Sequence, residues 1–115
     1  MKIVYKDKKI ERLCNDEEYM IKKLGNQVSK KLIETLNFIE AAPNFHILLL
    51  HTPFHLHVLK GNLNGIYSIY LGKNTGFRLL LLPLDHEEKF VKIESLDMFK
   101  EIKETEVLEV SKHYE

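Results

Sequence analysis

Six histidines stand in a chain of 115 residues, and three of them, His51, His55 and His57, form an H-x3-H-x-H run. Two imidazoles at i and i+2 of an extended strand share one face and could chelate a metal ion. The run has no CxxC or HExxH companion to complete a ligand set, so neither a metal nor another cofactor is expected. His57 has a second possible use, because Lys60 follows it and Arg78 lies on the next apolar run. An imidazole with an ordinary pKa near 6.5 moves protons at neutral pH. A lysine and an arginine beside it would hold an anion such as a phosphate, the arginine through its two-point fork. The structural alternative is an imidazole that satisfies a backbone carbonyl and a solvated turn lysine. His46 and His86 have no evident partner and are read as solvated side chains.

The elements that must position these residues are visible as periodicity. His55, His57 and Leu59 alternate with Leu56, Val58 and Lys60, which predicts a strand with both histidines on one face. Gly61 to Gly65 is turn chemistry, Ile66 to Leu71 reads as the return strand, and Gly72 to Gly76 is a second turn. Phe77 to Leu82 is apolar except for Arg78, the pattern of a central strand. A guanidinium there must reach the sheet edge or meet an anion. Tyr67 and Tyr70 fall on opposite faces of their strand, where one can pack in the core and the other stack on a base.

Ahead of this hairpin, Lys2 to Lys6 alternates as a strand, and Asp7 is placed to cap a helix over Lys8 to Cys14. Asn15 is read as the next N-cap, with Gly25 a C-cap or a kink. Asn26 to Ala42 is a longer helix whose Val28, Leu32, Leu36 and Ile39 form an apolar stripe, with Lys30, Lys31, Glu34 and Glu40 on its wet side. Asn44 can cap a turn or two over Phe45 to Leu50. After a charged loop, Leu96 to Ile102 suits a helical turn, and Thr105 to Lys112 is a last strand delivering His113 and Tyr114. Helices first and a mostly antiparallel sheet afterwards predict an α+β fold. N-terminal helices would pack on a twisted sheet of four or five strands in one domain spanning 1–115. The stripe should be buried against Ile69, Leu79 and Leu81.

Composition narrows the setting. The chain is 44% hydrophobic and 30% charged, ordinary for a soluble globular protein. No apolar run approaches the roughly 20 residues of a membrane span, and MKIVYKDKK lacks a signal-peptide core, so no membrane partner is expected. The lone Cys14 excludes an internal disulfide and fits a cytoplasmic location. Lys and Arg number 17 against 17 Asp and Glu, which removes the global field that draws basic proteins to nucleic acid. Any such role must rest on a local patch, and Lys60, Arg78 and Lys112 are expected to converge on one concave surface.

The run Leu56-His57-x-Leu59-Lys60-Gly61, then Gly65-x-Tyr67-Ser68-Ile69 and Arg78-Leu79, resembles the LHPLKG…GYWSI…WRL core of HigB-like toxins. These belong to the RelE/ParE toxin–antitoxin superfamily, also described as the plasmid maintenance killer type. The resemblance implies a RelE/ParE-like fold and an endoribonuclease (mRNA interferase) that cuts mRNA, commonly on the ribosome, and is silenced by a cognate helix-turn-helix antitoxin. It implies metal-independent cleavage by 2′-OH attack, with His57 and His113 as acid and base and Tyr114 orienting or protonating. Lys60, Arg78 and Lys112 would bind the phosphate. HigB-like toxins end in Asp-Tyr-His where this chain has Lys112-His113-Tyr114, so the groups are present in a different order. Two other readings stand beside this one. The first is a protein of the same fold that acts by binding, on gyrase or on the antitoxin alone. The second is a zinc-binding module resting on the histidine run.

Overall fold

The computed structural model describes residues 1–59 and 65–112. Over these described residues the chain is α+β, with helices packed against a five-stranded sheet. Strand β1 (Lys2–Tyr5) leads into α1 (Lys8–Asn15), capped by Asp7 Oδ1, which accepts from the Ile10 N–H at 2.9 Å. Helix α2 (Glu17–Ala41) follows after a single residue. Its N-cap is Asp16, whose Oδ1 accepts from the Tyr19 N–H at 3.1 Å. Asn15 had been expected there; instead it is the last residue of α1, and its Nδ2 donates to the Glu11 carbonyl at 2.8 Å. Gly25 is a kink rather than an end. It takes φ 82° and ψ 170°, and helix continues on both sides. That conformation is nearly closed to residues with a Cβ.

Helix α3 (Phe45–Leu50) is capped by Asn44 and ends at His51. A 3-10 turn, Thr52–Phe54, with Pro53 in its first turn, replaces the start of the strand expected from His55. His55 closes that turn in the left-handed region, at φ 48° and ψ 44°, with its N–H on the Thr52 carbonyl at 3.1 Å. Pairing therefore begins at β2 (His57–Val58), and His55 and His57 do not share a strand face. Next come β3 (Tyr67–Tyr70), β4 (Phe77–Leu84), a short α4 (Leu96–Phe99) and β5 (Glu104–Lys112). The strand order is β1-β5-β4-β3-β2, antiparallel except for the parallel β1–β5 pair.

Strand alternation sorts the sheet into two faces. The inner face carries Ile69, Leu79, Leu81 and Val107, all fully buried in one core with Val28, Leu32, Leu36 and Ile39 of α2. Burying one such side chain contributes about 1.5–3 kcal/mol, so the stripe and the sheet hold each other. Tyr67 joins this core, between Phe45 and Phe99 at ring distances of 5.2 and 5.9 Å. The outer face carries His57, Ser68, Tyr70, Arg78 and Ser111, which follows from the pairings His57↔Ser68, Tyr70↔Arg78 and Arg78↔Ser111. After β4, Asp85 Oδ1 accepts from the Glu87 and Lys89 N–H groups, and the chain turns back to lay Phe90 beside Leu84 and onto Gly65. A Cβ on Gly65 would lie 2.8 Å from the Phe90 ring. No helix among the described residues is long and apolar enough to cross a membrane.

Two substitutions test this account of the core and the kink. Leu79→Ala, on the buried face of the central strand, should lower the unfolding free energy by about 2–5 kcal/mol. Gly25→Ala meets no atom within 4 Å, so its loss of about 1–3 kcal/mol should come from backbone conformation alone. Urea midpoints at unchanged slope measure both, and a neutral Gly25→Ala would refute the kink.

Candidate functional site

The short β2 shapes the site. It pairs with Tyr67 and Ser68, and the far half of β3 borders an open cleft of about 1130 Å³. Helix α2 forms one wall with Lys31, Glu34, Thr35 and Phe38, and the 51–55 connection forms another with His51, Phe54 and His55. The β3–β4 turn and Arg78 complete it. Thr75 fixes this turn: its Oγ1 lies within 3.1 Å of the Leu71 and Gly72 carbonyls and accepts from the Phe77 N–H. Gly72, at φ 100°, lets the turn approach α2, since a Cβ there would stand 3.4 Å from the Lys31 Cγ and 3.1 Å from the Thr75 Cγ2. Lys31, Lys73 and Arg78 thus line one cleft together with Glu34.

On the outer sheet face the Arg78 guanidinium carbon lies 3.9 Å from the Tyr70 ring centroid, a cation–π contact between directly paired residues. Among the described residues its hydrogen bond is to the Phe77 carbonyl at 3.2 Å, which leaves most of its five donors for a ligand. The His55 ring is tilted over Tyr70 at 4.7 Å, and the His57 ring stands edge-on to it at 6.4 Å. His57 Nδ1 is 2.9 Å from the His55 carbonyl oxygen. A carbonyl can only accept, so Nδ1 carries the hydrogen and the neutral ring keeps its lone pair on Nε2.

The residues singled out from the sequence divide accordingly. His57 and Arg78 share a face and meet around Tyr70. Lys112 does not join them. It pairs with Phe77, one residue out of step with Arg78, and its Nζ lies 5.4 Å from the Phe77 ring, which puts it on the opposite face. The expected convergence of Arg78 with Lys112 is therefore corrected, and the cations that do share the cleft with Arg78 are Lys31 and Lys73. Lys31 lies on the wet side of its helix and Lys73 within the second turn; no local pattern marks either as a ligand group, because the fold alone brings α2 to the turn. Lys60, His113 and Tyr114 lie outside the described residues.

The histidine run does not converge on a metal. His51 packs against Phe38 and Phe54 at 4.4 and 4.5 Å while His55 and His57 turn to Tyr70. The described residues contain no group of three His, Cys, Asp or Glu placed to hold an ion. Cys14 is no nucleophile either, since burial pushes its thiol up to about 12.

Compared with known proteins, the chain matches no family model, no curated protein and no solved structure.

Burial of Cys14 has a direct readout. The native protein should resist a disulfide reagent such as dithionitrobenzoate at pH 8 over a period in which the guanidinium-unfolded chain reacts fully. Equal rates would show that the α1–α2 core opens freely.

Proposed function

We propose that this chain is a toxin of a type II toxin–antitoxin system, acting in the cytoplasm as a metal-independent endoribonuclease on mRNA, with a helix-turn-helix antitoxin as partner. The motif resemblance supplies the system and the ribosome as the place of action. One observation carries the chemistry: His57, Tyr70 and Arg78 lie together on the outer sheet face, beside a cleft that Lys31 and Lys73 also line. Single-stranded RNA is held by base stacking and by cations on its phosphates, and this surface offers both.

The hydrogen bond to the His55 carbonyl prepares His57 Nε2 to take the ribose 2′-OH proton. The freed oxygen attacks the adjacent phosphorus, and Arg78 offers N–H donors to the oxygens on which charge grows. A second group must protonate the departing 5′-oxygen; the resemblance assigns that role to His113, with Tyr114 beside it. Lys60 and Lys112 remain phosphate candidates of the same resemblance, Lys112 from the other side of the sheet.

The separation of Lys112 from Arg78 and the zero formal charge favour a second reading, in which the same fold works by binding gyrase or an antitoxin and cuts nothing. Two measurements decide between them. Cleavage of single-stranded RNA, free or on translating ribosomes, should fall ~10²–10⁴-fold in His57→Gln and ~10²–10³-fold in Arg78→Ala, with growth inhibition falling in parallel. A wild-type protein that neither cuts RNA nor slows growth would leave the binding reading. Independently of cleavage, RNA affinity should fall with salt at a logarithmic slope to which the three cleft cations contribute about −2, at about −0.7 each. Lys31→Ala and Lys73→Ala should each reduce that slope by about 0.7.

A further inference from the structure

We infer that His55, in place of the His113 that the resemblance would put there, is the second proton-transfer group of this cleft, the acid that protonates the leaving 5′-oxygen while His57 acts as base. This rests on the ribonuclease reading above and assigns a role to a residue that the motif resemblance does not touch. The starting observation is the backbone. His55 sits at φ 48° and ψ 44°, one of three non-glycine residues with positive φ among the described residues. Glycine adopts that conformation most readily; it is uncommon among residues with a Cβ, of which asparagine, aspartate and histidine enter it most often. Residues held in such sparsely populated conformations cluster at functional sites.

The second observation is what the conformation achieves. In a regular strand His55 and His57 would stand side by side on one face; here the left-handed residue turns the His55 ring against Tyr70 inside the cleft, with His57 edge-on to the same ring. Two exposed imidazoles thus approach the tyrosine that carries the Arg78 guanidinium, from different positions and in different orientations, 31° and 82° to the ring plane. Both imidazoles and the Arg78 guanidinium thus contact one ring, that of Tyr70. The same turn presents the His55 carbonyl to His57 Nδ1, so one residue both fixes the tautomer of the base and supplies the acid. The charged residues that line the cleft with His55 are Lys31 and Glu34 from α2, Lys73 from the β3–β4 turn and Arg78 from β4.

The step balances without a co-reactant. His57 Nε2 takes the 2′-OH proton, the 2′-oxygen forms a bond to phosphorus, and the bond from phosphorus to the 5′-oxygen breaks. Protonated His55 gives its proton to that oxygen. The products are a 2′,3′-cyclic phosphate and a free 5′-hydroxyl, and the two imidazoles recover their starting states by exchange with water.

The test separates an acid from a structural residue. His55→Asn keeps a side chain that tolerates left-handed backbone, and His55→Gly removes the strain altogether. Both should cut ordinary RNA ~10²–10⁴-fold more slowly. Both should recover nearly the wild-type rate on RNA with a bridging 5′-phosphorothiolate, whose thiolate leaves without a proton. His57→Gln should be slow on both substrates. The wild-type rate should be bell-shaped in pH, and the His55 variants should lose the alkaline fall. Wild-type rates from the His55 variants on ordinary RNA, or an equal defect on both substrates, would overturn the assignment and leave the ribonuclease reading in place. A wild-type protein that cuts neither substrate would overturn both.

Discussion

The buried contact between the α2 stripe and the inner sheet face governs where every other group can go. Ile69, Leu79, Leu81 and Val107 are fully buried there with Leu32 and Ile39. Because strand side chains alternate, committing these residues to the core sends Tyr70 and Arg78 to the other side, and the β-bulge that shifts the register between Leu80 and Leu81 brings Ser111 there beside Arg78. A slip of one residue would bury Arg78 and expose Leu79, at a cost no local interaction could offset. The polar surface is thus determined by apolar packing on its reverse side. The same rule separates Arg78 from Lys112: paired strands offer them positions one residue apart, and one residue is a change of face.

Much of this arrangement was legible in the sequence because it depends on neighbours along the chain. The caps Asp7 and Asn44, the stripe from Val28 to Ile39 and the central strand after Gly76 all rest on spacings of a few residues. The opposite fates of Tyr67 and Tyr70 followed from simple alternation. Three features did not follow. Asp16 outcompeted Asn15 as a cap because α1 runs one residue longer than its apolar pattern shows. The period of two at His55 was overridden when Thr52-Pro53-Phe54 closed a tight turn, since Pro53 suits the first turn of a helix and Phe54 is drawn into the core beside Phe38. The cationic lining of the cleft joins α2 to a turn some forty residues away in the chain, a distance no local pattern spans.

Electrostatics here is a matter of placement. A formal charge of zero gives the molecule no long reach toward a polyanion, yet Lys31, Lys73 and Arg78 share a cleft in which Glu34 is the acidic wall residue. Across roughly a Debye length such a cluster acts on its own account, whatever balances it elsewhere. Arg78 is further fixed by lying on Tyr70, so less side-chain freedom remains to be lost when an anion arrives.

The position of β5 bears on when this surface can exist. It lies between β1 and β4, yet it is the last of the described strands in the chain, and the parallel pair Lys2↔Glu104 joins segments about a hundred residues apart. Such long-range closure is slow, because the entropy of bringing distant segments together is lost before any contact compensates it. During synthesis β1 has no neighbour and β4 lacks one side of its ladder until β5 emerges. The sheet face that carries Arg78 is therefore completed only after β5 has been made, long after β1 and α2.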